Sequence, residues 1–162
     1  MKKYFLLIFT LLSLFGCSTT TNSAIEDDED VSSVTTLNKI YQGIEESATC
    51  TTRDSVAAYL CKFDHLPSNY VSKTVGQNLY EEKTGKTFDK WNFNPWTTLG
   101  VMIGGDEFFN KEGLLPQASY HEADLQYNAS NRGTKRLVYQ GNCVIYYTAD
   151  HYETFTQLFP KE

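Results

Sequence analysis

The sequence predicts an α+β domain, with N-terminal helices packed on one face of a C-terminal antiparallel β-sheet. Three observations carry that prediction. Apolar residues recur at helical spacing between Val56 and Tyr80, the pattern changes to period two after Val101, and Gln140-Gly141-Asn142 joins two strand-like runs as a hairpin turn does.

The chain begins outside that domain. MKKYFLLIFTLLSLFGC carries two lysines and an apolar run from Tyr4 to Phe15, the pattern of a signal peptide over residues 1–16 and too short for a spanning helix. Leu14-Phe15-Gly16-Cys17 resembles a bacterial lipobox, with Phe15 an unusual occupant, which marks Cys17 for lipidation and implies a membrane anchor. The expected location is therefore secreted or cell-envelope. Residues 17–47 read as an acidic disordered tether, because Ser/Thr/Asn residues and the run Glu26-Asp27-Asp28-Glu29-Asp30 leave too little apolar surface to offset ordering entropy. The folded domain then spans 48–162. The tether holds seven acids and one lysine and the domain 13 acids and 11 bases, so the acidity belongs mostly to the tether. A domain close to neutral can still carry a local basic cluster for a polyanion.

Thr51-Thr52-Arg53-Asp54 supplies a hydroxyl cap and a first-turn acid for a helix carrying Val56, Ala57, Tyr59, Leu60 and Phe63. That helix ends before Leu66-Pro67. A second follows Tyr70, capped by Ser72 or Thr74 and running through Val75 and Leu79 to Tyr80. Residues 81–98 form a polar and aromatic connection without a clear period. Strands are expected at Val101–Ile103, Tyr120–Tyr127, Arg136–Tyr139 and Cys143–Thr148. Among the cysteines, Cys50 and Cys61 would lie about 16 Å apart along the first helix, beyond disulfide reach, which leaves Cys61 with Cys143 as the preferred pair. No cysteine or histidine spacing matches a zinc site.

Strand parity sorts the titratable residues. In Tyr120–Tyr127 one face holds His121, Ala123, Leu125 and Tyr127, and the other holds Tyr120, Glu122, Asp124 and Gln126. His121 therefore shares the apolar face, and Glu122 looks onto a polar open face. An exposed strand glutamate is ordinary surface when taken alone. Here it is accompanied by His151 in a loop after a strand, by Arg132 and Arg136 around another, and by Lys73 opening the second helix. A carboxylate, an imidazole and three cations suit metal-independent cleavage of RNA: one takes the 2'-OH proton, one protonates the leaving oxygen, and the cations stabilise the phosphorane.

The motifs "LPSNYVSK" (66–73), "GGDEFFNKEGLLP" (104–116), "YHEADLQY" (120–127), "NRGTKRLVY" (131–139) and "TADHYETFT" (148–156) occur in that order. On them the chain resembles the barnase and binase family of small secreted bacterial ribonucleases, over roughly Ser55 to Phe159. The resemblance implies that Glu122 is the general base and His151 the general acid. It sets Lys73, Arg132 and Arg136 around the scissile phosphate with Tyr152 beside them. It also makes Phe108, Phe109, Asn110, Lys111 and Glu112 a guanine-recognition loop, in which Glu112 accepts from N1-H and N2-H of guanine and backbone N–H groups near Phe109 and Asn110 meet the guanine oxygen. The chain departs from the pattern in several places. Lys111 stands where relatives carry arginine and lacks its planar head. The segment between Pro116 and Glu122 is about three residues short, Ala118 and Asn142 replace both members of a structural ion pair, and residues 81–98 are longer and more aromatic.

The leading expectation is a guanyl-preferring endoribonuclease, monomeric, needing no cofactor or metal, with single-stranded RNA as substrate and a small acidic inhibitor similar to barstar as a partner. A membrane-anchored RNA- or protein-binding module that has kept the fold is the alternative. A metal-dependent phosphodiesterase built on His121, Glu122 and Asp124 is the third, and parity already separates its histidine from its acids.

Overall fold

The computed structural model describes residues 37–159. The signal peptide, the Cys17 lipidation site and residues 17–36 of the tether lie outside the described residues. The inner end of the tether does not behave as one. Residues 37–43 are helical, and Leu37 and Ile44, only 4% and 8% exposed, belong to the main hydrophobic core. Tyr59 Oη donates to the Glu46 carbonyl at 2.8 Å and Lys62 Nζ to the Ile44 carbonyl at 2.7 Å. Among the described residues, packing against the domain core therefore begins at Leu37, ahead of residue 48. The acidic run dominates the composition of residues 17–47 and hides a short amphipathic stretch that begins only at Leu37.

Helix α1 (Arg53–Phe63) starts at Thr52, whose side chain and that of Ser55 form a reciprocal capping box. It ends at Asp64, which adopts a left-handed conformation. Its buried face, Val56 to Leu60, packs with Ala123, Leu125, Leu137 and Ile145 of the sheet. Each large aliphatic side chain so buried contributes about 1.5–3 kcal/mol. Helix α2 (Lys73–Thr84) is capped by Ser72 and closed by Gly85. The two ends of the connection expected at residues 81–98 are helical, because α2 continues to Thr84 and a short α3 (Pro95–Leu99) follows, with Asn94 as cap and proline in its first turn.

Six strands lie in chain order: β1 (Tyr70–Val71), β2 (Met102–Phe108), β3 (Tyr120–Asp124), β4 (Arg136–Gln140), β5 (Val144–Thr148) and β6 (Thr156–Leu158). The last five form an antiparallel meander. The edge strand β1 was not visible as a strand in the sequence; it pairs parallel to β2 over two residues. The glycines at 104 and 105 do not end β2. A Cβ on Gly104 would stand 3.0 Å from the Ala123 backbone, and Gly105, at φ 89°, takes up a register shift against β3. Cys61 of α1 is bonded to Cys143 at the β4–β5 turn, where Asn142 N–H also donates to Asp64.

One sheet face carries this main core. The opposite face carries a smaller cluster of Leu115, Tyr120 and Val138, flanked by Phe108, Tyr146, Tyr152 and Phe155. That second cluster explains why the face of Glu122 and Asp124 is not open as parity alone suggested: the two acids are 7% and 1% exposed.

Candidate active site

Alternation along β3 aims Glu122 and Asp124 at the same face, two residues apart, and the two do different work. Glu122 Oε1 accepts a hydrogen bond from Lys73 Nζ, and Oε2 accepts one from the Tyr152 hydroxyl. Lys73 is placed by the start of α2, where its own backbone N–H donates to Asp106 Oδ2 at 2.9 Å. Burial by itself would push the Glu122 carboxyl up, but the Lys73 ammonium and the Tyr152 hydroxyl outweigh it, and the result lies below the ordinary glutamate value. Burial and the adjoining carboxylate raise the Tyr152 hydroxyl well above the usual tyrosine range, so it stays a donor.

The turn after β5 presents His151. Asp150 Oδ1 accepts from Thr148 Oγ1 at 2.8 Å, Glu153 N at 3.1 Å and Thr154 N at 3.0 Å, while Oδ2 accepts from Thr154 Oγ1 at 2.5 Å. The Thr154 hydroxyl leads the groups that hold the Asp150 carboxyl down to about 2. This network, with Tyr152 N–H donating to Thr148 Oγ1, keeps His151 and Tyr152 at φ 61° and 78°, a conformation that non-glycine residues adopt only when their surroundings enforce it. The exposed His151 ring lies 4.8 Å from that of Tyr152. Lys73, Glu122, His151, Tyr152, Phe109 and Glu112 all line one open cleft of about 610 Å3.

Both arginines converge on Asp124. Arg132 Nε and Nη2 donate to its two oxygens at 2.5 and 2.7 Å, a bidentate fork. Arg136 Nε lies 2.8 Å from Oδ1 as an ion pair, but not in line for a hydrogen bond; its Nη1 and Nη2 donate to the carbonyls of Lys135 and Gly133. Arg136 is buried and spends its donors on the protein, so what it offers the cleft is charge, which helps to hold Glu122 ionised.

The loop after β2 is braced from within. Asn110 Nδ2 donates to the Leu115 carbonyl at 2.7 Å, Leu115 N–H returns a bond to Asn110 Oδ1 at 3.2 Å, and Gly113 N–H donates to the Asn110 carbonyl. Phe108 packs 5.1 Å from Tyr152, whereas Phe109 and the side chains of Lys111 and Glu112 are exposed.

All the side chains singled out in the sequence as catalytic therefore gather on one side of the sheet, directly or through Asp124. His121 does not join them. It is exposed at the other side of β3, with Nδ1 3.2 Å from the Gly105 carbonyl and its ring 5.9 Å from that of Tyr139. The trio His121, Glu122 and Asp124 does not converge, since the two acids are engaged by Lys73, Tyr152 and the arginines. Sequence reasoning missed three parts: Asp124 as the common partner of two arginines, Asp150 as organiser of the His151 turn, and Tyr152 as a donor to Glu122. The first had a signal, an acid sharing parity with Glu122 in a chain segment followed by two arginines.

Chemically, the cleft pairs an ionised carboxylate with an exposed imidazole beside fixed positive charge, the equipment for moving protons at a phosphodiester. A family model described as ribonuclease matches residues 53–158 of this chain. Ribonucleases of Bacillus intermedius and Bacillus pumilus are each 41% identical to it over 114 residues, covering 68% of this chain and 67% of the relative. A ribonuclease of Heyndrickxia coagulans is 40% identical over 114 residues, covering 68% of this chain and 99% of the relative. The chain belongs to the ribonuclease family, in the barnase and binase group to which its five motifs point. It is an RNA-cleaving enzyme by family.

The depressed Glu122 carboxyl makes a prediction about pH. With Glu122 as the expected base, a carboxyl held below its ordinary value places the acid limb of kcat/KM lower than an unperturbed glutamate would. The profile of Lys73→Met, measured from pH 3 upward, is expected to show that limb moved to higher pH, because the lysine holds the carboxylate charged. An unmoved limb would mean that the limb reports another group.

Proposed function

We propose that the protein is an endoribonuclease that cuts single-stranded RNA after guanosine, without a metal, through a 2',3'-cyclic phosphate. The observation that carries this reading is Glu122, buried yet held ionised at the floor of a cleft whose rim bears His151. Glu122 takes the proton of the ribose 2'-OH, the 2'-oxygen bonds to phosphorus, and the bond from phosphorus to the 5'-oxygen breaks as His151 gives its proton to the departing oxygen. In the second step His151 takes a proton from water, the water oxygen bonds to phosphorus, and the bond from phosphorus to the 2'-oxygen breaks as Glu122 returns its proton to that oxygen, leaving a 3'-phosphate. Lys73 and Arg132 face the phosphorane charge, and Arg136 and Asp124 fix that field from behind. DNA lacks the nucleophile and is expected to be inert.

Glu112 at the cleft rim is the proposed guanine acceptor, since guanine alone offers adjacent N1-H and N2-H donors to one carboxylate. Cleavage of GpA is expected to exceed that of ApA by at least about tenfold in kcat/KM, given the worth of hydrogen bonds to a charged group, and Glu112→Ala is expected to remove the difference. Equal rates on both dinucleotides in the parent protein would sink the guanosine preference.

Export to an oxidising compartment is part of the proposal, supported by the Cys61–Cys143 bond and the leader pattern of residues 1–16. So are anchoring through Cys17 and, for the producing cell, protection by a small acidic protein that covers the cations of the cleft.

A further inference from the structure

The segment between α2 and α3 takes no part in the chemistry above, yet one of its side chains reaches Arg132. Trp91 is half-buried, edge-on to Phe88 at 4.8 Å between ring centroids and 5.6 Å from Phe93. Its other neighbour is a cation: the Arg132 guanidinium carbon lies 5.2 Å from the Trp91 ring centroid. Asp124 holds the Nε and Nη2 edge of that guanidinium, and none of the hydrogen bonds among the described residues uses Nη1. A carboxylate therefore fixes one edge of the group, an indole lies against it, and a further edge remains for a ligand.

Helix α2 makes room for the arrangement. A Cβ on Gly76 would stand 2.9 Å from Trp91 Cη2 and 2.6 Å from Ile103 Cδ1. Glycine inside a helix is otherwise unfavourable. Here it lets the indole sit close on α2 while it reaches Arg132.

We propose that Trp91 is a positioning residue for Arg132, its ring keeping the guanidinium oriented so that the edge not taken by Asp124 meets the phosphate in the transition state. The proposal rests on the reading of Arg132 as a phosphate-facing group. An arginine tethered by one edge can still swing about that edge. The quadrupole of an indole both attracts the cation and limits the swing.

The test compares GpA cleavage by the parent protein, Trp91→Leu, Trp91→Phe, Arg132→Gln and the pair Trp91→Leu/Arg132→Gln. Trp91→Leu is expected to lose about tenfold in kcat with KM nearly unchanged, as for an interaction of cation–π size made in the transition state. Trp91→Phe should recover most of that loss, and the double variant should be no slower than Arg132→Gln alone. A folded Trp91→Leu with the parent's kcat would overturn the proposal, as would an equal penalty with Arg132 already replaced, which is what a purely structural tryptophan gives. Because Trp91→Leu can fail to fold, the emission of Trp91 is also followed in Trp96→Phe as inorganic phosphate is added. A change that disappears with Arg132→Gln supports the proposal, and no change, or one indifferent to Arg132, overturns it. This second readout needs no turnover, so a protein that responds to phosphate through Arg132 but leaves RNA intact would sink the cleavage reading and keep the positioning one.

Discussion

Replacing Glu122 with alanine is expected to lower kcat on GpA by about 10²- to 10⁴-fold, the range associated with a positioned general base, and His151→Ala by a similar factor. The two should not add: once either proton transfer is lost, removing the other costs little more, as in other sites whose groups act as a unit. Glu122→Gln is the more informative companion. It keeps the shape and still accepts from Lys73 or Tyr152, but it cannot take a proton, so it should be as slow as alanine while remaining better folded. His121→Ala should leave turnover within a few-fold, because its ring is exposed on the other side of β3. Parent-like rates in both Glu122→Ala and His151→Ala would end the acid–base account.

The largest effect on stability is expected at Asp124. Its carboxylate, 1% exposed, neutralises two guanidinium groups that are themselves 13% and 4% exposed in their side chains. Asp124→Ala leaves both charges buried without their partner, which typically costs about 3–5 kcal/mol. For a domain whose whole stability is on the order of 5–15 kcal/mol, that is a large share. Chemical denaturation should show a matching fall in the midpoint, with Asp124→Asn milder because the amide oxygen still accepts from Arg132. A variant within about 0.5 kcal/mol of the parent, the range of ordinary surface substitutions, would mean that solvent reaches the arginines freely. The activity of the folded fraction should also fall, since Arg132 loses its fixed edge.

The legible parts of this chain were those where local chemistry decides. Thr52 and Ser72 are helix caps whatever packs on the helices, and the alternation of β3 alone sets Glu122 apart from His121. The illegible parts depended on partners far along the chain. Nothing local to Asp124 says that Arg132 and Arg136 will both turn to it. Nor does residue 91 announce that its ring will lie against a guanidinium 41 positions on. Strand parity gave the correct face for Glu122 but the wrong environment, because its carboxylate is engaged by Lys73 and Tyr152, which are 49 and 30 positions away in sequence. Composition misplaced the domain boundary for a related reason: averaged over residues 17–47, the acidic run outweighs Leu37 and Ile44, which a packed core then claims.

The central claim is that Glu122 and His151 carry out in-line transfer to the ribose 2'-oxygen. Phosphorus NMR of GpA turnover in EDTA tests it most directly. Guanosine 2',3'-cyclic phosphate is predicted to appear first and to decay to the 3'-phosphate, at rates that fall together in Glu122→Gln. Release of a 5'-phosphate product, or cleavage that stops in EDTA and returns with a divalent cation, would contradict the account.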